Sequence, residues 1–265
     1  MSPEASRPDW LEPDWPAPAN VRAISTFRRG GASLGPYAWL NLGDHVGDAA
    51  AAVAENRRRL AAAAGLPAEP AWLAQIHGAG VADLDAADSA RGADSNGAAS
   101  GAGPPTADAS FTRRPGRICA VLTADCLPVL LAADSGDAVA AAHAGWRGLA
   151  AGVIEAAVRA LKVPPQRLLA WLGPAIGLQH FEVGAEVRDE LLRGDPGAEG
   201  AFAPNARGRF MADLSLLARR RLAALGVARV FGGHECTFSA ADRYFSHRRD
   251  GVSGRQATLI WLQGR

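Results

Sequence analysis

Three apolar runs of strand length, at residues 118–123, 128–132 and 138–142, follow one another with only the break around Cys126 and the turn Asp134-Ser135-Gly136-Asp137 between them. Runs that stay apolar at successive positions read as buried strands, because a strand with one solvated face alternates. The turn makes the second and third runs an antiparallel pair. Cys126, just before the second run, and His143, just after the third, then lie at the same end of that pair. Helical patterns at 48–64, 149–161, 185–192 and 214–225 alternate with further strands at 168–172 and 258–262. Asp48 is the expected cap of the first helix and Gly65 its stop, while Gly226 closes the last. Such alternation specifies an α/β or α+β domain, and a parallel doubly wound sheet fits the pattern equally well.

With 265 residues and 48% hydrophobic content, the chain can bury a sizeable core. Residues 21–265 read as one globular unit, expected as a monomer or weak homo-oligomer. Residues 1–20 form a tail whose five prolines disfavour regular structure and which docks through Trp10 and Trp15. The stretch 86–106, rich in Ala, Gly, Ser and Pro, has no periodicity and reads as a surface insertion without chemistry of its own. Lys plus Arg number 28 against 27 for Asp plus Glu, so no global basic field exists to hold nucleic acid or an anionic membrane. The sequence has neither a membrane-length apolar run nor the pattern of a signal peptide, which places the protein in the cytoplasm. Its three cysteines, Cys119, Cys126 and Cys236, are an odd number without metal-finger spacing, as expected of reduced thiols.

Gln75-Ile76-His77-Gly78, the Cys126 break and His143-Ala144-Gly145-Trp146-Arg147-Gly148 each adjoin an apolar run. A lone buried Cys or a His beside Gly is ordinarily a packing or loop residue. Taken together, His77, Cys126 and His143 are two imidazoles and a thiolate, a good donor set for Zn²⁺ that leaves one coordination position open, as in a catalytic rather than a structural site. Copper is the alternative ion. A multicopper oxidase is disfavoured, since the chain has six His, and its two Met are Met1 and Met211. Beyond His143 the chain passes Gly145 and Gly148 into a helix, a start that offers backbone N–H groups to an anion, with Arg147 as added charge. A tight strand-to-helix turn with Trp146 in the core is the plainer reading. Cys126 and His143, with Asp125 beside them, also fit the nucleophile and base of a thiol hydrolase or deamidase. A non-enzymatic metal-binding module is a third reading. His180, His234 and His247 are bystanders.

The strings TADCLPVLLAAD, AAAHAGWRGLAAGV, AWLGPAIG, FEVGAEV and FSHRRDGVSGRQATLIWL resemble the YfiH/YlmD family, once named for laccase or polyphenol oxidase activity. The likeness runs from Val21 to Leu262. It implies layered, mixed β-sheets with helices outside. It also implies purine nucleoside phosphorolysis, in which adenosine, inosine, guanosine or 5′-methylthioadenosine reacts with phosphate to give base and ribose 1-phosphate, together with deamination of adenosine. On this resemblance His77, Cys126 and His143 hold the metal, Arg28 and the Gly145–Gly148 turn hold phosphate, and Asp125 or Asn41 orients the substrate. Arg28 precedes Gly30-Gly31 where the family carries Thr-Arg-x-Gly-Gly, with Phe27 departing from the usual Thr. Asn41 and Arg57 lie in matching segments, and His45 in GDHVGD is placed to line the pocket.

Overall fold

Strands that are apolar on both faces need a packing partner on each, and the chain builds one layer for every such face. The structure is a computed structural model, and it describes residues 7–86 and 103–264. In chain order its strands are β1 (Trp10–Leu11), β2 (Val21–Thr26), β3 (Val81–Asp83), β4 (Ala109–Thr112), β5 (Ile118–Thr123), β6 (Leu127–Ala133), β7 (Val139–Ala144), β8 (Leu168–Leu172), β9 (Glu182–Val183), β10 (Phe202–Pro204), β11 (Phe210–Ala212), β12 (Arg229–Gly232) and β13 (Gln256–Leu262). The α-helices are α1 (Ala50–Ala64), α2 (Trp146–Ala151), α3 (Val153–Leu161), α4 (Ala185–Gly194), α5 (Leu214–Ala224) and α6 (His247–Asp250).

The fold is mixed α/β, with two large sheets packed face to face. A six-stranded sheet runs β12-β8-β6-β7-β4-β3 and a four-stranded one runs β1-β2-β13-β5; a small sheet, β10-β11-β9, stands apart. Antiparallel pairing dominates, with β12–β8 and β3–β4 parallel, which corrects the doubly wound alternative. Period two along each strand divides its residues between layers. On β6, Leu127, Val129 and Leu131 face α2, α3, α4 and α5, while Leu130 and Ala132 face the other sheet. On β5, Cys119 and Val121 meet Leu130, whereas Ile118, Ala120 and Leu122 pack outward against Leu60 of α1. Residues 124–126 therefore cross from one sheet to the other.

Several boundaries differ from expectation for local reasons. The helix expected at 149–161 starts at Trp146 and is broken by Gly152, whose left-handed φ of 85° ends α2 and starts α3. Asp48 does not cap α1, because its carboxylate is drawn to Ser33 Oγ (2.6 Å) and Asn41 Nδ2 (2.8 Å). Gly65 does end that helix, at φ 59°. Within the tail, Trp10–Leu11 pair antiparallel with Thr26 and Ser25, a strand that Pro8 and Pro13 confine to two residues. Trp10 packs on the α1 side of the four-stranded sheet and Trp15 between the two sheets. Residues 87–102 of the expected insertion lie outside the described residues.

β7 reads Val-Ala-Ala-Ala-His-Ala, and its small side chains let the two sheets and the helical layer close on it. Ala141→Leu, which adds volume between the sheets, is expected to destabilise the protein by about 1–3 kcal/mol, measured as a lower urea midpoint at unchanged m-value.

Candidate metal centre

The three suspected ligands converge, and each is delivered by a different local device. Leu127 pairs with Ala144 and Pro128 with His143, so Cys126 and Gly145 come opposite each other at the end of the β6–β7 pair, as the hairpin reading required. The approach is close enough that a Cβ on Gly145 would stand 2.6 Å from Cys126 Sγ and 3.6 Å from His77 Cδ2. Glycine is thus needed here for space. His77 arrives on a loop pinned on both sides. Gln75 before it exchanges two hydrogen bonds with the backbone of Leu122, accepting at 2.7 Å and donating at 2.9 Å. The donor atoms of His77, Cys126 and His143 lie within 4.8 Å of one another, and this is the only group of its kind among the described residues. His77 is exposed, Cys126 half-buried and His143 buried, so the cluster opens to solvent on one side.

A carboxylate that the sequence reading did not single out holds this arrangement together. Asp108 is fully buried, immediately before β4. Its Oδ1 meets His143 Nδ1 (2.9 Å) and accepts from the His77 N–H (2.9 Å), and its Oδ2 accepts from the N–H groups of Ile76 (3.2 Å) and Gly78 (2.6 Å). Burial alone would raise its pKa, but these partners outweigh it and keep Asp108 below the usual carboxylate value. With His143 Nδ1 occupied by Asp108, Nε2 is the nitrogen left for a metal, the carboxylate–histidine arrangement typical of metal sites.

The cluster is electrostatically coupled. Burial disfavours the Cys126 thiolate, but the charge of His143 and hydrogen bonds from His143 and His77 prevail, lowering its pKa to about 6. Burial likewise opposes a charged His143, yet the Cys126 thiolate and Asp108 raise it to about 9. Without a metal both shifts favour a thiolate facing an imidazolium. A soft thiolate and two imidazoles, one oriented by a buried carboxylate and with an open side, fit a zinc ion.

Other expected site residues are placed differently. Asp125 is buried, with Oδ1 accepting from Thr237 Oγ1 (2.7 Å) and Oδ2 from the Arg248 N–H (2.6 Å), so its carboxylate braces the crossover. Asn41 is fully buried: its Nδ2 donates to Gly43 O and Asp48 Oδ2, and its Oδ1 accepts from the N–H groups of Gly43 and Arg255. That amide shapes the chain and has no donor left for a ligand. Arg28 was expected at phosphate. Its Nε and Nη2 donate to Ala38 O and its Nη1 to Ala241 O, with the guanidinium stacked 4.6 Å from the Phe245 ring centre. It is a clamp between backbone segments. Arg147, exposed at the start of α2, lies over Trp146.

His45 and Arg57 do line an opening. With Asp44, Trp72, Gln75, Ile76 and Leu122 they enclose a pocket of about 600 Å³ that reaches the segment carrying His77. Arg57 spans it, donating to Leu42 O, paired with Asp44 (3.3 Å) and stacked 4.3 Å from the Trp72 ring centre. The bystander histidines stay outside the cluster: His180 stacks on Phe238, His234 lines a separate cleft, and His247 begins α6. Arg255, whose charge reaches Cys126 and Asp125, escaped the sequence reading.

The family described as multi-copper polyphenol oxidoreductase laccase matches residues 22–263. The chain belongs to that family. A Pseudomonas aeruginosa protein named purine nucleoside phosphorylase is 52% identical over 255 residues, covering 96% of this chain and 98% of that protein. The Escherichia coli protein YfiH, also named purine nucleoside phosphorylase, is 48% identical over 252 residues, covering 95% and 98%. A Neisseria meningitidis crystal structure superposes with a TM-score of 0.87 at 49% identity, covering 96% of this chain and 99% of that one. YlmD from Geobacillus stearothermophilus does so with a TM-score of 0.86 at 32% identity, covering 96% of each. The matches to YfiH and YlmD bear out the expected kinship.

Two outcomes test the centre. Asp108→Ala frees the ring of His143 and the 76–78 loop, and zinc affinity, measured by competition with a chromophoric chelator, is expected to fall by about 10–100-fold. In metal-free protein, alkylation of Cys126 by iodoacetamide should persist as pH falls from 9 and drop only near the thiol's pKa of about 6, because the depressed value keeps the thiolate populated down to there. A profile that drops near the ordinary thiol value would contradict the coupling.

Proposed function

We propose that the protein is a cytoplasmic, zinc-dependent purine nucleoside phosphorylase that also deaminates adenosine, acting through residues 21–265 as a single catalytic domain. One observation carries the reading: an open His77–Cys126–His143 cluster, held by Asp108, in a chain about half identical over nearly its whole length to proteins named purine nucleoside phosphorylase. His77, Cys126 and His143 would hold the ion, which supplies Lewis acidity for polarising a substrate or lowering the pKa of water. Copper oxidation is poorly supported despite the family's description, since the described residues contain one such cluster and Met211 lies in the small β9–β11 sheet.

Phosphorolysis needs a phosphate fixed against the sugar and a shielded place for the base. The pocket beside His77 offers the flat Trp72–Arg57 stack, with His45 at its rim, for a purine. A phosphate oxygen forms the new bond to C1′ while the C1′–N9 bond breaks, its electron pair leaving with the base. The proton brought by hydrogen phosphate ends on the base. In deamination water adds at C6 and ammonia leaves, so phosphate takes no part. Buried Asp108 keeps His143 in one ring orientation throughout.

The thiolate–imidazolium coupling supports a second reading, a thiol hydrolase with Cys126 as nucleophile and His143 as its acid–base partner. Zinc should protect Cys126 from iodoacetamide if it is a ligand, whereas full activity of metal-free protein would favour the thiol chemistry. The protein is expected to bind about one zinc per chain, to lose it in Cys126→Ala and to keep it in Cys119→Ala and Cys236→Ala. Inosine cleavage should require phosphate and yield ribose 1-phosphate, and adenosine deamination should proceed without phosphate. Stoichiometric zinc in Cys126→Ala, or free ribose as product, would overturn the assignment.

A further inference from the structure

A half-buried cation needs partners, and Arg255, although Asp125 and Cys126 lie within reach of its charge, forms no direct ion pair with a carboxylate among the described residues. It stands one residue before Gln256, which pairs with Thr123 at the end of β5, so it flanks the 124–126 crossover that carries Cys126. Its N–H donates to Asn41 Oδ1 (2.9 Å), the same oxygen that accepts from Gly43 (3.0 Å). The stem then runs over Gly43, where a Cβ would lie 2.8 Å from Arg255 Cγ and 3.5 Å from His45 Cε1. Nη1 is fixed by the carbonyls of Ser253 (2.9 Å) and Gly254 (3.0 Å) and by Ser253 Oγ (3.3 Å).

Nε and Nη2 meet no acceptor among the described residues, and no carboxylate there forms an ion pair with this guanidinium. The nearby carboxylates are already engaged, Asp125 by Thr237 and Arg248, and Asp44 by Arg57 and His45. One edge of the fork is thus anchored and the other free. Such a fork suits two oxygens of a tetrahedral oxyanion, which it can bind bidentately and with charge assistance. Arg28, by contrast, spends Nε, Nη1 and Nη2 on carbonyls.

We propose that the free edge of Arg255 binds the phosphate co-substrate beside the His77–Cys126–His143 cluster, an assignment that rests on the phosphorolysis proposed above. With two phosphate oxygens held by Nε and Nη2, the remaining oxygens are free to approach C1′. Arg255 is then a substrate-binding residue, and Asn41 acts behind it as a positioning residue through the Arg255 N–H.

The test uses the full-length, zinc-loaded protein. Initial rates of base release from inosine are measured against phosphate concentration, and inorganic phosphate alone is titrated by calorimetry. Arg255→Gln is expected to raise the phosphate KM by about tenfold or more, the loss typical of a charge-assisted pair, while the inosine KM stays within about twofold. Arg255→Lys, which keeps the stem and charge, should fold even where the Gln variant does not and should give an intermediate phosphate KM. An unchanged phosphate KM in both, or equal rises in both KM values, would overturn the assignment and leave phosphorolysis standing. Phosphate binding that weakens in the variants, in a protein whose wild type releases no base with phosphate, would support the anion site and remove the phosphorylase reading.

Discussion

The candidate site depends on one buried carboxylate. Asp108 gathers three consecutive backbone N–H groups and one imidazole onto its two oxygens, in a place that water does not reach. The group is charged and desolvated, so losing any partner leaves a cost of kcal/mol order in a low-dielectric interior. The consequence is geometric. His77 comes from a loop and His143 from the end of a central strand, and Asp108 ties the two together with bonds that fix the turn of one and the ring of the other.

The layering explains why the cluster forms where it does. β5 belongs to one sheet and β6 to the other, so the chain must cross between them at 124–126, and a crossover at the rim of two packed sheets cannot continue either ladder. Its polar groups find other partners: the Asp125 carbonyl accepts from Ile176, and the Asp125 carboxylate takes Thr237 and Arg248. Cys126 is carried on that braced step. The two described non-glycine residues with left-handed φ near the cluster are Asp125 at 88° and His77 at 61°, both in segments that side chains pin from outside. A conformation costing on the order of 1–3 kcal/mol persists only where its surroundings hold it, and here the hydrogen bonds of Asp108, Gln75, Thr237 and Arg248 do so.

How far the sequence foretold this follows from what kind of signal each feature leaves. The buried strands were legible because their two-sided packing makes uninterrupted apolar runs, and the turn at 134–137 made the Cys126–His143 meeting a matter of register. Face-to-face packing of the two sheets was reached through resemblance alone, because periodicity cannot say which apolar face meets which. Asp108 left no signal beyond being a lone acid in an alanine-rich run. Arg28, expected at phosphate, spends its donors on backbone carbonyls in this structure. Gly30 and Gly31 beside it suggested a phosphate loop, but Gly30 takes φ 86° against the Arg7–Pro8 backbone and Gly31 lies too close to the Trp39 backbone for any Cβ. Those glycines serve chain crossing, and the arginine closes the same crossing through Ala38 and Ala241.

The contrast between arginines bears on how such a site assembles charge. Arg57 lies against Asp44 and Trp72, and Arg249 against Asp250 and the carbonyls of Thr237, Phe238 and Tyr244, so their charge and donors are largely satisfied by the fold. A cation compensated within the chain binds an incoming anion only by exchanging partners, which cancels most of the gain. Arg255 is arranged differently: carbonyl oxygens and a hydroxyl hold its geometry without neutralising it. Its positive charge is felt at the Cys126 crossover, and after burial it is the main influence that disfavours a charged form of the neighbouring His45. A guanidinium held in that way keeps one edge of donors unspent, which is what an incoming oxyanion would need there.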